Sequence, residues 1–332
     1  VSFASNDYLG LATHPAVVAA AHAALDRWGA GSTSARLIVG SRPVHAELES
    51  ALADWKRTEA AVLFTTGFTA NLGVIGALTG PDVLVCSDEL NHASIIDARR
   101  LSNAQLAVYR HGDAGHVDEL LRASRAARAV VVSETVFSMD GDIAPLDELA
   151  SVCARHGALL VLDEAHAVLG PEPELQCFDG LDVLRVGTLS KTLGALGGFV
   201  AGPTRYTRLL VNRARSYIFT TASTPADTAA ALAALAVVRS PEGETLRTRL
   251  RAHVERLRPG HPSPILPYLC GTEARALEAS AALLDQGMLV TAIRPPTVPP
   301  QTSRLRVTVS AAHTSEQVDA LATALDRLFP SA

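Results

Sequence analysis

From residue 60 onward the apolar positions fall in short uninterrupted runs, each followed by a stretch with helical spacing. The runs at 60–64, 83–86, 106–109, 129–133 and 158–162 show little alternation of polar and apolar residues. Strands that are apolar on both faces belong in a sheet covered on both sides, and the intervening helices supply the cover. Those helices are expected over 68–78, 94–102, 117–123 and 146–156, and further strands at 183–187, 199–201 and 218–219. Ahead of this alternation, residues 1–11 read as an extended segment closed by a turn, with Asn6, Asp7 and Gly10 supplying the turn chemistry. Two helices follow at 15–28 and 43–55, the first opened by Pro15, with a Gly/Ser loop at 29–40 between them.

After a helix at 224–238 the rhythm changes. Strands at 265–270, 289–292 and 304–309 mix with helices at 242–257, 273–286 and 315–328. The chain divides into an N-terminal segment (1–40), a large domain (41–238) and a smaller C-terminal α+β domain (239–332). The fold class is α/β, with a mostly parallel sheet between helices. Such sheets bind ligands at the carboxyl ends of their strands, so candidate chemistry is sought there.

Composition narrows the reading. Apolar content of 48% and charged content of 19% over 332 residues describe a globular chain. The 29 basic and 34 acidic residues give a net charge of −5 without any basic block, which disfavours nucleic acid and anionic membrane as partners. The longest apolar run, Ala229 to Val238, is too short to span a bilayer and reads as a buried helix. The chain opens at Val1 without a methionine, and no charged-then-apolar leader is visible. Cys86, Cys153, Cys177 and Cys270 have neither CxxC pairing nor metal spacing, and are expected as free thiols in a reducing cytoplasm.

Only two of the basic residues are lysines. Lys56 lies beside Arg57 and Glu59 on an amphipathic helix and is expected to be a surface charge. Lys191 lies in RVGTLSKTLGALGGFV, after an apolar run and among Thr188, Ser190, Thr192 and Gly194. An amine can lose its proton and attack a carbonyl, whereas a guanidinium cannot. Lys191 therefore reads either as a solvated loop lysine or as the Schiff-base lysine of an aldehyde cofactor. Asp163, after the run LLVL, suits a metal ligand, a general base, the partner of a pyridinium nitrogen or a helix N-cap, and His166 follows three residues on. TTGFTAN, at a strand-to-helix junction, places Gly67 and Phe68 where helix N–H groups can hold one phosphate; no GK[ST] follows. His92 in DELNHAS can stack on an aromatic ring, act as acid or base, or be structural, and the Asp140-Gly141 turn presents Ser138. A nicotinamide site would need GxGxxG after the first strand, and a zinc site closely spaced ligands; neither is found, so no metal is expected. The set as a whole matches pyridoxal 5′-phosphate (PLP).

The motifs SNDYLGL, TGFTANLG, DELNHASIIDA, VVVSETVFSMDGD, LLVLDEAHAVLG, TLSKTLGALGG and RPPTVPPQTSRLRVTVSAAH run end to end along the chain. In these the chain resembles the α-oxoamine synthases, PLP enzymes of transferase fold type I that condense an amino acid with an acyl thioester. The resemblance implies a seven-stranded sheet and a homodimer with shared active sites. It implies that Lys191 carries the cofactor and moves protons at the substrate α-carbon, that Asp163 pairs with the pyridine nitrogen, and that His92 stacks on the ring. Ser138 and His166 would lie near the ring's phenolic oxygen. Thr188 and the Gly67–Phe68 backbone would hold the phosphate, with Thr221 reaching the phosphate of the neighbouring subunit. Arg306 would bind the amino acid carboxylate as a fork, with Asn6 near the substrate. The RPPTVP and RLR segment points to the members that join L-alanine to a pimeloyl thioester, on CoA or acyl carrier protein, in biotin biosynthesis. That reaction runs through loss of the α-proton, Claisen attack on the thioester, loss of carbon dioxide and reprotonation. The alternatives are sister enzymes using glycine or serine with other acyl-CoAs, and a non-catalytic PLP-binding subunit. The chain departs from the family pattern in lacking the region before SNDYLG, in a shortened stretch after AHAVLG, in an abbreviated stretch at 258–261 and in a glycine-poorer 29–40 loop.

Overall fold

The computed structural model describes residues 1–171 and 180–330. In chain order, α1 (Pro15–Trp28) and α2 (Pro43–Trp55) precede β1 (Ala60–Phe64), α3 (Gly67–Leu78), β2 (Val83–Asp88), α4 (Ala93–Leu101), β3 (Gln105–Tyr109) and α5 (Ala114–Ala123). Then come β4 (Arg128–Glu134), α6 (Leu146–His156), β5 (Leu159–Asp163), β6 (Val183–Thr188), β7 (Gly198–Gly202), α7 (Thr204–Arg213), the single turn α8 (Arg215–Ile218) and α9 (Pro225–Val238). Seven strands form one sheet in the order β1-β7-β6-β5-β4-β2-β3. The pairings from β3 through β6 are parallel, and β7 is antiparallel to both its neighbours.

The unalternating runs are explained by two apolar layers. On β4, Val130 and Val132 pack into the layer with Val74, Ile75 and Leu210, while Val131 packs into the opposite layer with Val117, Leu121 and Leu149. On β5, Val161 joins the first layer, and Leu160 and Leu162 the second. The central strands bury both faces, which is why their runs are apolar; β3, at the sheet edge, buries Tyr109 but leaves Leu106 and Val108 exposed.

The C-terminal part contains α10 (Pro241–Leu257), β8 (Ile265–Gly271), α11 (Glu273–Leu284), β9 (Thr291–Ile293), β10 (Ser303–Thr308) and α12 (Ser315–Leu328). Its sheet is antiparallel, in the order β8-β10-β9. The N-terminal segment is held by this part. Phe3 N donates to Leu289 O, Thr308 N to Phe3 O and Ala311 N to Tyr8 O, each at 2.8 Å. Phe3, Tyr8 and Leu11 are fully buried.

Three expectations need correction. Residues 218–219 are not a strand. Ile218 ends α8 and Phe219 is exposed, because Tyr217 is the anchor of this apolar triplet and packs edge-on to Phe64. The helix α7 was not expected, since Thr207 and Leu210 are its only buried residues. Lys56 is not a surface charge. It caps α2 at 5% exposure, with Nζ 2.8 Å from Glu164 Oε2 and 3.9 Å above the Trp55 ring. Glu164 is shared with Arg185 Nε, and Arg185 donates to the Lys56 carbonyl at 3.0 Å. Burial alone would raise the Glu164 carboxyl, but the two cations outweigh it and hold it below the usual range. Cys86, Cys153 and Cys270 are free and buried, while Cys177 and most of the shortened stretch after AHAVLG lie outside the described residues. No helix among the described residues is long and apolar enough to cross a membrane.

The loops at the carboxyl edge are clamped by His111. Its Nδ1 lies 3.0 Å from Asp88 Oδ1 and its Nε2 2.8 Å from Asp142 Oδ2, with the ring edge-on to Phe137 at 4.4 Å. The bonds to Asp142 and Asp88 push the imidazole pKa up to about 10. A group raised above its unfolded value of about 6.5 contributes stability that is complete below that pH and is lost as pH rises through the folded value. The melting temperature of the wild type is therefore expected to fall more between pH ~7 and ~10 than that of His111→Gln. Calorimetry on the two proteins checks this; parallel curves would refute it. Lys56→Met, which leaves a buried carboxylate short of one partner, should cost about 3 kcal/mol in urea unfolding.

Candidate active site

Two carboxyls stand side by side at the edge of the sheet. Glu134 ends β4, Asp163 ends β5, and the two are register partners. Asp163 is 6% exposed, and both its oxygens accept hydrogen bonds: Oδ1 from Ala165 N at 3.0 Å, Oδ2 from Asn71 Nδ2 at 2.7 Å. Among the described residues the chain enters a turn after Asp163, so the aspartate is not a helix N-cap. That turn carries His166 inward to 3% exposure.

His166 links the lysine to the N-terminal segment. Its Nε2 lies 2.7 Å from Lys191 Nζ and its Nδ1 2.6 Å from the Tyr8 hydroxyl, which is 3.1 Å from Asn6 Oδ1. One proton arrangement satisfies every contact: Tyr8 donates to Asn6 and accepts from Nδ1–H, and the bare Nε2 accepts from the amine. Asn6 Oδ1 also accepts from both Nη atoms of Arg306 at 3.2 Å, while Arg306 Nε donates to the Ser138 carbonyl at 2.6 Å. A single hydrogen-bonded path thus joins Lys191, His166, Tyr8, Asn6, Arg306 and Ser138.

Burial shapes the charges. It lowers the Lys191 amine below its ordinary value, against the opposing pull of Asp163 and Glu134. It also drives His166 well below the usual imidazole range, helped by Lys191 and Arg306. Burial and the nearby Asp163 push Glu134 up to about 8, and its Oε1 has no hydrogen-bond partner among the described residues. The turn holding Lys191 needs Gly194, at φ +60°, where a Cβ would sit 2.4 Å from Ala12 N.

His92 caps α4, its Nδ1 accepting from Ser94 N at 3.2 Å. At the start of α3, Thr66 caps the helix, and the N–H groups of Gly67 and Phe68 have no partner among the described residues. Thr188 lies against them: a Cβ on Gly67 would be 3.2 Å from its Cβ. The Thr188 hydroxyl also reaches Ser190 Oγ at 2.7 Å and Gly197 O at 3.0 Å. Thr221 does not join the cluster. It is exposed and lines a crevice with Thr65 and Ser223. A cavity of about 580 Å³ opens on the flank of Thr188, lined by Lys56, Glu164 and Thr192, but Lys191, His166 and Arg306 are not among its walls.

Sequence reasoning missed Tyr8, Asn71 and Glu134. Tyr8 and Asn71 stood inside motifs already singled out. Glu134 ends an apolar strand just as Asp163 does, a signal that was read at only one of the two positions.

A doubly covered, mostly parallel sheet, with lysine, histidine and aspartate at its carboxyl edge beside an open helix N-terminus, defines the fold type I class of PLP-dependent enzymes. Within that class the chain belongs to the aminotransferase class I and II family, which matches residues 1–325. An 8-amino-7-oxononanoate synthase of Anaeromyxobacter dehalogenans (strain 2CP-1 / ATCC BAA-258) is 52% identical, over 99% of this chain and 86% of its own. SPT solved with its PLP internal aldimine superposes with a TM-score of 0.93 at 32% identity, covering 99% of this chain and 87% of that one. An 8-amino-7-oxononanoate synthase from Francisella tularensis gives 0.81 at 25%, covering 99% and 96%.

Glu134 should be visible in the chemistry of Lys191. When it ionises, near pH 8, it stabilises the charged amine. In Glu134→Gln, Lys191 is expected to become reactive at lower pH, read as the rate of acylation against pH by peptide mapping. Lys56 is the only other lysine, and peptide mapping separates it and the Val1 α-amine from Lys191. An unchanged profile would refute the coupling.

Proposed function

We propose that this chain is a PLP-dependent C-acyltransferase that condenses L-alanine with a pimeloyl thioester, releasing carbon dioxide and the free thiol and giving 8-amino-7-oxononanoate for biotin synthesis. The observation that carries the reading is the partly buried amine of Lys191, its pKa lowered and its nitrogen bonded to His166, on a chain 52% identical to a synthase of that name.

The residues present fit the cofactor. The unpartnered N–H groups of Gly67 and Phe68, with Thr188 alongside, suit one phosphate monoester. Bound PLP supplies an aldehyde for amines to condense with and a ring that withdraws electrons from the amino acid α-carbon. Asp163 would pair with the ring nitrogen, and His92 would stack on the ring. Ser138 and His166 would lie near the ring's phenolic oxygen. Lys191 takes the proton from the α-carbon and later returns one, with His166 as its hydrogen-bond partner. Arg306 receives the substrate carboxylate, which takes over donors now given to Asn6. Asn6 and Tyr8 close this side of the site. The domain limits near residues 40 and 238, a cytoplasmic homodimer, and Thr221 serving the partner's phosphate complete the proposal; the exposure of Thr221 and Phe219 supports a surface left open for a second subunit.

The likeness to SPT supports a second reading, serine with a long acyl-CoA, because its TM-score is the higher of the two. Sequence outweighs it: 52% identity to the synthase of A. dehalogenans against 32% to SPT over nearly the same span.

Borohydride reduction of the protein with PLP is expected to label Lys191 and leave Lys56 unlabelled. Product formation from pimeloyl-CoA is expected with L-alanine and to be at least 10-fold slower with glycine or serine. Arg306→Lys, which loses the bidentate fork, should raise the KM for alanine about 10- to 100-fold. Label on Lys56 instead, or faster turnover with serine and a long acyl-CoA, would overturn the assignment.

A further inference from the structure

Asn71 lies one helical turn after Gly67 on α3 and is 2% exposed. Both hydrogens of its amide nitrogen are committed: one to Asp163 Oδ2 at 2.7 Å, the other to Ser94 Oγ at 2.9 Å. Having accepted from Asn71, the Ser94 hydroxyl has one proton to give, and His92 Nδ1 lies 2.8 Å away. The same Nδ1 accepts from Ser94 N at 3.2 Å. An imidazole nitrogen that accepts two hydrogen bonds carries no proton, so the ring hydrogen is on Nε2. Burial and the nearby Lys191 amine keep this imidazole below its usual pKa, against the pull of Asp163.

The other end of the Asn71 amide is costly. Its Oδ1 is buried and has no partner among the described residues. An orphaned acceptor destabilises the fold. A polar side chain kept at such a position points to a task beyond packing.

We infer that Asn71 and Ser94 are positioning residues of the active site: Asn71 fixes the Asp163 carboxylate and, through Ser94, holds His92 as the neutral Nε2–H tautomer. The inference rests on the PLP reading for its purpose, since Asp163 and His92 are the groups assigned to the ring nitrogen and the ring face. It does not rest on it for its geometry. One helix, α3, then governs the phosphate through its first N–H groups and the ring through Asn71.

Two measurements test it, one of them without cofactor. ¹⁵N spectra of histidine-labelled cofactor-free protein, with His92 assigned by its loss in His92→Gln, should show an unprotonated Nδ1 and a protonated Nε2. Ser94→Ala should move the ring toward the Nδ1–H form, and Ser94→Thr, which keeps the hydroxyl, should restore the wild-type pattern. In PLP titrations Asn71→Leu should bind about 10- to 100-fold more weakly, the size of a hydrogen bond to a charged group. Its cofactor-free melting temperature should fall as well, because a leucine leaves the buried Asp163 Oδ2 without its donor. A wild-type His92 protonated on Nδ1, or an Asn71→Leu protein that binds PLP as tightly as the wild type, would overturn the inference. A wild type with the expected tautomer that binds no PLP would overturn the functional reading instead and leave the positioning of His92 standing.

Discussion

The site depends on burying a lysine amine without giving it a carboxylate to hold. Lys191 Nζ meets an imidazole at 2.7 Å, and no ion pair is formed by this amine among the described residues. Burial favours the neutral amine; a carboxylate at the same distance would favour the charged one. Lys56 shows the contrast in the same chain, because its Nζ meets Glu164 at 2.8 Å and forms a buried ion pair. Lys56 is buried and Lys191 partly so, and their partners divide the work. One cation locks α2 onto the turn after β5, and the other amine remains available for attack.

That arrangement follows from strand order. Parallel neighbours deliver Glu134 and Asp163 to the same level of the sheet edge, where two carboxyls repel. Glu134 keeps its proton at neutral pH, so the acidic pair does not recharge the amine fully. His166 arrives from the turn after β5 and Lys191 from the turn after β6, the adjacent strand. Crossing from one strand end to the next supplies amine, imidazole and acid without any long reach.

Much of this was legible because it is strand-and-turn chemistry. Asp163, His92, Ser138, Gly67 and Lys191 each follow or end an apolar run, and the runs are apolar because both sheet faces are covered. What failed were features decided by distant packing. Lys56 looks like a helix-surface charge until Glu164, over a hundred residues later, is brought beneath it. The triplet at 217–219 has strand-like composition, but Tyr217 is claimed by Phe64 and the backbone turns helical. Asn71 reads as an ordinary helical residue, and its link to Asp163 spans 92 positions. Local pattern carries period and polarity; it does not carry which side chain meets which across the sheet.

The small sheet bears on the site through register. Arg304 and Arg306 are two apart on β10, so both project from one face. Arg306 donates to the carbonyl of Ser138 and Arg304 pairs with Asp140, two residues further along the same turn. The strand and the turn after β4 therefore match residue for residue, and a slip of one position would turn both guanidiniums away. Asn6 is held from the same side, since the N-terminal segment hydrogen-bonds Leu289, Thr308 and Ala311. The guanidinium proposed to receive the substrate carboxylate is consequently placed by the C-terminal sheet, while the amine proposed to carry the cofactor is placed by the large one. A shared apolar core joins the two parts, and at the site itself the Arg304–Asp140 ion pair and the Arg306–Ser138 hydrogen bond fix the small sheet against the turn after β4.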